Sequence, residues 1–236
     1  KHDLVAGSFM PPLPIRQLRD LTRYRFKLTN FMSSEKNRLQ NCLTVSNIQL
    51  GSVVSNTFGK SSMNIINKLL ENPLDTSIDL EPLVYKSLKQ KLPDLQLAIE
   101  GIITPEQAAK LSIIKHHHDN LEARKGEIEQ VVLPLCVPYT QEINLVMTVP
   151  SIHNIFTAIT VISEIGVDMD VFPTAKNLCS WAGLTPTNDE SAGKKRSVKI
   201  SRAGCYLKPL LVEVGVETEG GAHPVRHGGR GQQETS

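Results

Sequence analysis

Apolar residues recur at alternating steps of three and four positions in the first part of the chain. The repeat consists of Leu18, Leu21, Leu28, Met32, Leu39 and Cys42, with Arg25 and Glu35 in the two remaining positions. Such a heptad period is typical of a helix that packs against a partner along a narrow seam. The pattern predicts one long, coiled-coil-like helix from about Ile15 to Leu43.

A second heptad seam follows Thr104-Pro105-Glu106-Gln107, a strong helix start in which Thr104 can cap and Pro105 suits the first turn. The seam positions are Leu111, Ile114, His118, Leu121, Lys125, Ile128, Val132 and Leu135. Pro134 and Pro138 are predicted to stop this helix. Each seam needs a partner, which could be the other helix or a second copy of the protein. We favour a combination of the two, with a homo-oligomer formed through these helices, because polar seam positions such as Arg25, His118 and Lys125 can set register and partner choice.

Shorter elements surround the second seam. Between the two long helices, the pattern predicts a helix over residues 50–71, interrupted at Gly59, and one near residues 83–91. After Tyr139 it predicts helices over residues 141–148, 155–165, 175–182 and 203–214. Residues 215–236 are Gly-rich and polar, which predicts a disordered tail. The fold class is therefore mainly α, with at most a short hairpin near residues 197–200.

Composition and charge exclude several classes of protein. Only 5% of the residues are aromatic, which argues against a stacking platform for single strands. The four cysteines are far apart, so neither a zinc site nor a disulfide framework is expected. No apolar run is long enough for a membrane span. The adjacent histidines 116–118 do not share a helix face, so we predict no metal site and no metal-dependent hydrolase there.

Positive charge is concentrated in two segments. The first long helix has seven Lys and Arg residues against two acids, and residues 194–202 contain five cations and no acid. The helix is either a solvated face or a phosphate-contacting surface, whereas the second segment favours phosphate binding. The predicted nucleic-acid-binding residues are Arg16, Arg19, Arg23, Lys27, Lys194, Lys195, Arg196, Lys199 and Arg202.

A series of short motifs in the last third carries a family resemblance. In order, they are Ser163-Glu164-Ile165-Gly166, Phe172-Pro173-Thr174-Ala175-Lys176, Trp181-Ala182-Gly183-Leu184-Thr185-Pro186, residues 188–194, Ile200-Ser201-Arg202-Ala203-Gly204 and Leu207-Lys208-Pro209-Leu210. This order resembles the C-terminal domain of insertion-sequence transposases that join a RuvC-like, four-carboxylate domain to a C-terminal serine. Piv-type DNA invertases are relatives, and RNA-guided bridge recombinases are members. With Phe9-Met10-Pro11-Pro12 and residues 18–25, the resemblance covers roughly residues 1–211.

The resemblance implies strand exchange in DNA, with Ser191 as the catalytic nucleophile and magnesium (Mg2+) held by the carboxylate domain. The resemblance implies DNA as a partner and a guide RNA as a second partner. It also implies a bacterial cytoplasmic location in association with the nucleoid. Trp181 is predicted to lie in the core. The family's acids precede the segment that begins here, so we expect a fragment that binds no metal and is inactive alone.

The resulting domain plan has four parts. Residues 1–13 are a linker from the catalytic domain, 14–137 a helical coiled-coil region, 138–214 the transposase domain with its serine loop, and 215–236 the tail. The family pattern is expected to be lost from Val212 onward. One alternative function stays open: a helical protein that binds nucleic acid or oligomerises and performs no chemistry, in which Ser191 is an ordinary loop serine.

Overall fold

The computed structural model describes residues 10–71, 73, 78–185, 190–191, 194–195 and 204–220. Over these residues the protein is mainly α-helical, as predicted. The helices are α1 Leu13–Val45, α2 Leu50–Val53, α3 Lys60–Glu71, α4 Leu92–Ala98, α5 Pro105–Leu135, α6 Thr140–Val146, α7 Ile155–Ile165, α8 Ala175–Trp181 and α9 Leu207–Gly220. Short 3-10 turns cover Glu81–Leu83, Lys86–Lys91, Val137–Tyr139 and Met169–Val171, and two strands, β1 Glu190–Ser191 and β2 Lys194–Lys195, form a hairpin. No helix in these ranges is long and apolar enough to cross a membrane.

The chain divides into two compact units. Unit 1 comprises residues 1–23 and 132–236, and unit 2 comprises residues 24–131, so α1 and α5 each contribute to both. The domain plan drawn from the sequence instead keeps each long helix within one region. The first turns of α1 belong with the C-terminal part because Ile15 and Leu18 are buried in the same apolar cluster as Ile143 and Ile159.

The predicted seam of α1 is confirmed by burial. Leu18, Leu28 and Leu39 are almost fully buried, and Glu35, which occupies a gap in the apolar repeat, is buried too. Arg25 fills the other gap. Its Nε lies 2.7 Å from Oε1 of Glu129 on α5, so this polar position pairs across to the second long helix.

The second seam is confirmed through Val132 and then changes. Leu111 and Val132 are fully buried, but Leu135 is 42% exposed and Cys136 is buried in its place. The next buried position after Val132 is thus four residues further along the helix, whereas the heptad repeat predicts a spacing of three. Pro134 lies within the last turn of α5 rather than before its end.

Unit 2 places its core around the second half of α1, α3, α4 and the start of α5. Leu43, Ile65, Leu95 and Leu111 are buried together there. The predicted break at Gly59 is observed, since α2 ends at Val53 and α3 begins at Lys60. The short helix predicted near residues 83–91 is observed as 3-10 rather than α-helical. Two 3-10 turns occupy that region, and α4 begins at Leu92 with a proline in its first turn, where the missing N–H costs no hydrogen bond.

In unit 1, α7 has the predicted bounds, because its ends have strong local signals. Asn154 caps its start by accepting a hydrogen bond from the N–H of Phe156 (2.9 Å), and Gly166 follows its end with a φ of 79°. Trp181, at the end of α8, is half-buried and packs edge-on against Phe172 with ring centroids 5.5 Å apart. It therefore contributes to the core, as predicted.

The last helix extends beyond its predicted end. α9 continues to Gly220, so residues 215–220, expected within a disordered tail, are helical. The remainder of that tail, residues 221–236, and the hairpin expected at residues 197–200 lie outside the described residues.

Candidate nucleic-acid interface and serine hairpin

Ser191 lies in a short antiparallel hairpin. β1 pairs with β2 so that Ser191 is opposite Lys194 and Glu190 is opposite Lys195. The sequence predicts a polar loop at this position. The observed register brings the backbone of the candidate nucleophile beside the backbone of the first cation of the basic segment.

The structure describes this basic segment only in part. It gives the backbone of Lys194 and Lys195, while Arg196, Lys199 and Arg202 lie outside the described residues. Two candidates on α1, Arg16 and Lys27, have exposed side chains. These two side chains are accessible to a phosphate without any rearrangement of the protein.

Arg19 and Arg23, the other two candidates on α1, bind within the protein. Nε and one terminal nitrogen of Arg19 donate to the carbonyl oxygens of Ser163 and Glu164, at 2.9 and 2.7 Å. Arg23 donates to both carboxylate oxygens of Glu164, at 2.7 and 2.8 Å. The guanidinium of Arg23 also lies 4.6 Å from the centroid of the Tyr206 ring. Both arginines therefore anchor α1 to the end of α7.

The partner of these arginines is a buried acid. Glu164 is 3% exposed, and the hydroxyl of the neighbouring Ser163 lies 2.8 Å from that of Thr22. Burial lowers the pKa of Arg19, whereas the hydrogen bond with Glu164 raises the pKa of Arg23. Both guanidinium groups stay protonated, because an arginine does not lose its proton in proteins. Glu164 thus offsets one of the two positive charges inside unit 1, and backbone carbonyl oxygens solvate the guanidinium of Arg19.

Sequence reasoning missed this cluster, although a signal was present. Glu164 is the only charged residue of α7, whose other residues are mostly apolar. A buried carboxylate requires a charged partner or hydrogen-bond donors, so an acid in such a helix implies arginine or lysine on a packed neighbour. The Ser163-Glu164 motif therefore has a structural role in joining α7 to α1.

One group of side chains in unit 2 has the composition of a metal site. Ligand atoms of His118, Asp119 and Glu122 lie within 4.8 Å of one another. However, Asp119 already forms an ion pair of 2.8 Å with Lys115, and the ring of His118 stacks on Phe58 at 4.3 Å with both nitrogens buried. A nitrogen and two carboxylates also differ from the all-oxygen set that Mg2+ prefers. This group therefore lacks the ligand set that is typical of a magnesium site.

Comparison with known families was informative for the C-terminal third. Residues 143–219 match the model of the Transposase IS116/IS110/IS902 family. This segment, about a third of the chain, is therefore similar to an insertion-sequence transposase family. The matched segment contains α7, α8, the serine hairpin and most of α9. No curated protein and no solved structure matches the chain.

The extent of the match corrects one expectation and leaves another open. The family pattern was expected to be lost from Val212 onward, but the family match continues to residue 219. The helical continuation of α9 to Gly220 agrees with that extent. The resemblance of residues 1–142 to the same family lies outside the match and stays a prediction.

Proposed function

We propose that this protein takes part in DNA strand exchange and supplies Ser191 as the nucleophile. The observation that carries the proposal is the family match over residues 143–219, which includes Ser191. The backbone register that pairs Ser191 with Lys194 supports it, because a lysine at the neighbouring strand position is a residue type that favours a phosphate there.

The proposed chemistry is a transesterification. The serine oxygen forms a bond to phosphorus, one P–O ester bond of the DNA breaks, and the leaving oxygen takes up the proton that serine releases. A serine hydroxyl is a weak nucleophile without an activating base or metal. Cations of residues 194–202 would offset the negative charge that develops on the phosphate.

The proposed nucleic-acid surface contains fewer residues than the sequence predicted. It consists of Arg16, Lys27, Lys194, Lys195, Arg196, Lys199 and Arg202. Arg19 and Arg23 are left out because α7 already binds their guanidinium groups. We assign them instead as positioning residues, since Arg23 contacts Tyr206 in the segment between the hairpin and α9.

The metal is proposed to come from elsewhere. The group of His118, Asp119 and Glu122 does not have the all-oxygen ligand set that Mg2+ prefers, so the proposed chemistry uses no metal held there. A RuvC-like carboxylate domain would supply it, as the resemblance implies. Further partners follow from the same resemblance: a guide RNA, a second copy of the protein joined through the long helices, and the DNA of a bacterial nucleoid.

The test uses the chain reconstituted with a RuvC-like carboxylate domain, labelled DNA, magnesium and a denaturing gel. We expect a covalent protein–DNA adduct that Ser191→Ala abolishes while binding of DNA stays nearly unchanged. Ser180→Ala, at an exposed serine of α8, is the matched control and should leave the adduct intact. An adduct that persists in Ser191→Ala would remove Ser191 as the nucleophile.

The second candidate is a helical protein that binds nucleic acid or oligomerises and performs no chemistry. The observation that favours it is that no all-oxygen group of acids was found among the described residues. The same experiment separates the two candidates. Failure of the reconstituted protein to form any adduct, with DNA binding retained, would support this second reading.

A further inference from the structure

A cavity of about 730 Å³ opens in unit 2, between the first turn of α3 and the 3-10 turns of residues 81–91. Three lysines line it: Lys60, Lys86 and Lys91. Its remaining described lining is made of polar, apolar and glycine residues and contains no Asp or Glu. The wall thus presents positive charge that no carboxylate of the same lining offsets.

A neighbouring cavity provides a contrast. It has a volume of about 480 Å³ and shares Val53 and Lys91 with the first, but its lining includes Asp94 and Glu100. An anion entering there would meet two carboxylates as well as one lysine. The difference in charge between two adjacent cavities shows that the lysine-lined one is the place in this region where an anion is favoured.

We propose that the lysine-lined cavity binds a phosphodiester segment of single-stranded nucleic acid. This inference rests on the proposed function, to which it adds a second contact site outside residues 143–219. Lysine ammonium groups act as point charges that hold phosphates without requiring a fixed geometry.

The rim of the cavity is held in place by contacts on both sides. Nζ of Lys60 lies 4.9 Å from the centroid of the Tyr85 ring, and the N–H of Tyr85 donates to Oγ of Ser61 at 3.1 Å. Nζ of Lys91 donates to the carbonyl of Val53 at 3.2 Å. These contacts position two of the three cations before a ligand arrives, which reduces the entropy lost on binding.

Size and shape favour a strand over a free phosphate ion. Pockets of roughly 300–1,000 Å³ hold ligands much larger than one phosphate group, and this one falls in that range. Lys60, Lys86 and Lys91 are exposed, so the cavity is open to a chain that continues beyond it. A concave site of this volume is large enough for a nucleotide of a single strand.

The backbone at Lys86 adds a supporting observation. Its φ is 53°, in the left-handed region that a lysine rarely adopts because it is strained for a residue with a Cβ atom. Lys86 follows Tyr85 directly in the chain. The turn at Lys86 therefore helps to determine where the side chains of Tyr85 and Lys86 lie at the rim of the cavity. Strained residues of this kind concentrate at binding sites.

The test measures binding of a fluorescent 12-nucleotide strand to the full 236-residue chain at several salt concentrations. Lys60→Gln/Lys86→Gln should weaken binding at least fivefold at moderate salt. It should also reduce the slope of log K against log salt by about 1.4, since each phosphate contact of a single strand contributes about 0.7. The matched control is Lys68→Gln/Lys110→Gln, which removes two exposed lysines outside the cavity and should change both quantities much less.

A second measurement locates the strand directly. A strand carrying 5-iodouracil is cross-linked by light, and mass spectrometry of the peptides should identify Tyr85, which is 44% exposed at the rim. The Lys60→Gln/Lys86→Gln variant serves as the comparison, and labelling of Tyr85 should be much weaker in it. DNA and RNA strands are tested in parallel. The strand that binds with the higher affinity identifies the source of the phosphodiester.

The outcomes separate this inference from the proposed function. If the cavity variants bind as the wild type does while Lys194→Gln/Lys195→Gln loses binding, the cavity inference is overturned and the serine proposal is untouched. If the cavity variants lose binding but reconstituted protein forms no adduct, the serine proposal alone fails. Equal competition by poly-glutamate would show a general site for acidic chains and would also overturn the inference. Coinciding thermal melts exclude unfolding as the cause.

Discussion

Arg23 forms two hydrogen bonds with the carboxylate of Glu164, at 2.7 and 2.8 Å, although 141 residues separate them in the chain. Glu164 is buried at the end of a helix that is otherwise mostly apolar. Arg19 completes the contact by donating to the carbonyls of Ser163 and Glu164. The first turns of α1 are thereby joined to the domain that matches the transposase family.

Replacing the buried acid should destabilise the protein. Glu164→Ala leaves two arginines without their carboxylate, and breaking a buried pair costs 3–5 kcal/mol in general. We expect about 2–3 kcal/mol, because the side chain of Arg23 is 39% exposed and water partly compensates its charge. Urea denaturation measures the loss of unfolding free energy.

The control for that variant is Glu127→Ala, which breaks an exposed pair with Arg124. Surface pairs of this kind contribute little, so its effect should stay below about 1 kcal/mol. Equal losses in both variants would show that the Arg23–Glu164 contact has no special weight in the fold.

Two arginines three residues apart on α1 should respond in opposite ways. Arg19→Ala should lower stability and leave nucleic-acid affinity nearly unchanged, because its guanidinium is bound by α7. Arg16→Ala should leave stability within about 0.5 kcal/mol, as is usual for surface substitutions, and weaken nucleic-acid binding severalfold. Thermal melts and filter binding on both variants decide the matter, and a reversal of the two patterns would refute the proposed surface.

The contrast between those arginines shows how far the sequence could be interpreted. Local sequence signals determine the two ends of α7. The cap at Asn154 and the glycine at Gly166 can both be recognised in the sequence, so the bounds of this helix could be predicted. Charge alone could not separate Arg16 from Arg19, because both lie on one basic helix and differ only in what packs beside them. That neighbour is 144 residues away, and no pattern within α1 indicates it.

A similar limit applies to α4 and to the end of α5. Pro93 looks like a helix breaker in the sequence but lies in the first turn of α4, where proline is tolerated. The heptad predicts Leu135 as a core residue, yet Cys136 is buried because the seam steps by four after Val132. The candidate site was predicted as a serine loop, and the register that pairs Ser191 with Lys194 required the structure.

His118 should be replaceable by an apolar residue with a gain in stability. Its side chain is buried at a seam position of α5, and neither ring nitrogen has a hydrogen-bond partner. Burying an unpartnered polar group costs about 1–3 kcal/mol, so His118→Leu should raise the unfolding free energy by about 1 kcal/mol after loss of the Phe58 stack. His117→Leu is the control. This histidine is exposed and its Nδ1 lies 3.1 Å from Glu35, so the change should not stabilise the protein.

Cys136 should resist alkylation in the folded protein. Burial raises its pKa to about 11 from the ordinary value of 9.0, and the thiolate is the reactive form. At pH 8 we therefore expect iodoacetamide to modify the exposed Cys205 rapidly and Cys136 very slowly, with the difference lost in urea. Mass spectrometry of tryptic peptides gives both rates. Comparable rates in the folded protein would contradict the burial of Cys136.

The same shift makes stability depend on pH in the alkaline range. The folded state favours the neutral thiol, because ionisation at this buried position is costly. The stabilisation is therefore fully present below the unfolded pKa near 9 and is lost as the pH rises towards the folded value of about 11. The wild type should lose more unfolding free energy than Cys136→Val between pH 8.5 and 10.5, because valine has no proton to release. Parallel pH profiles for the two proteins would show that Cys136 ionises as readily in the folded chain as in the unfolded one.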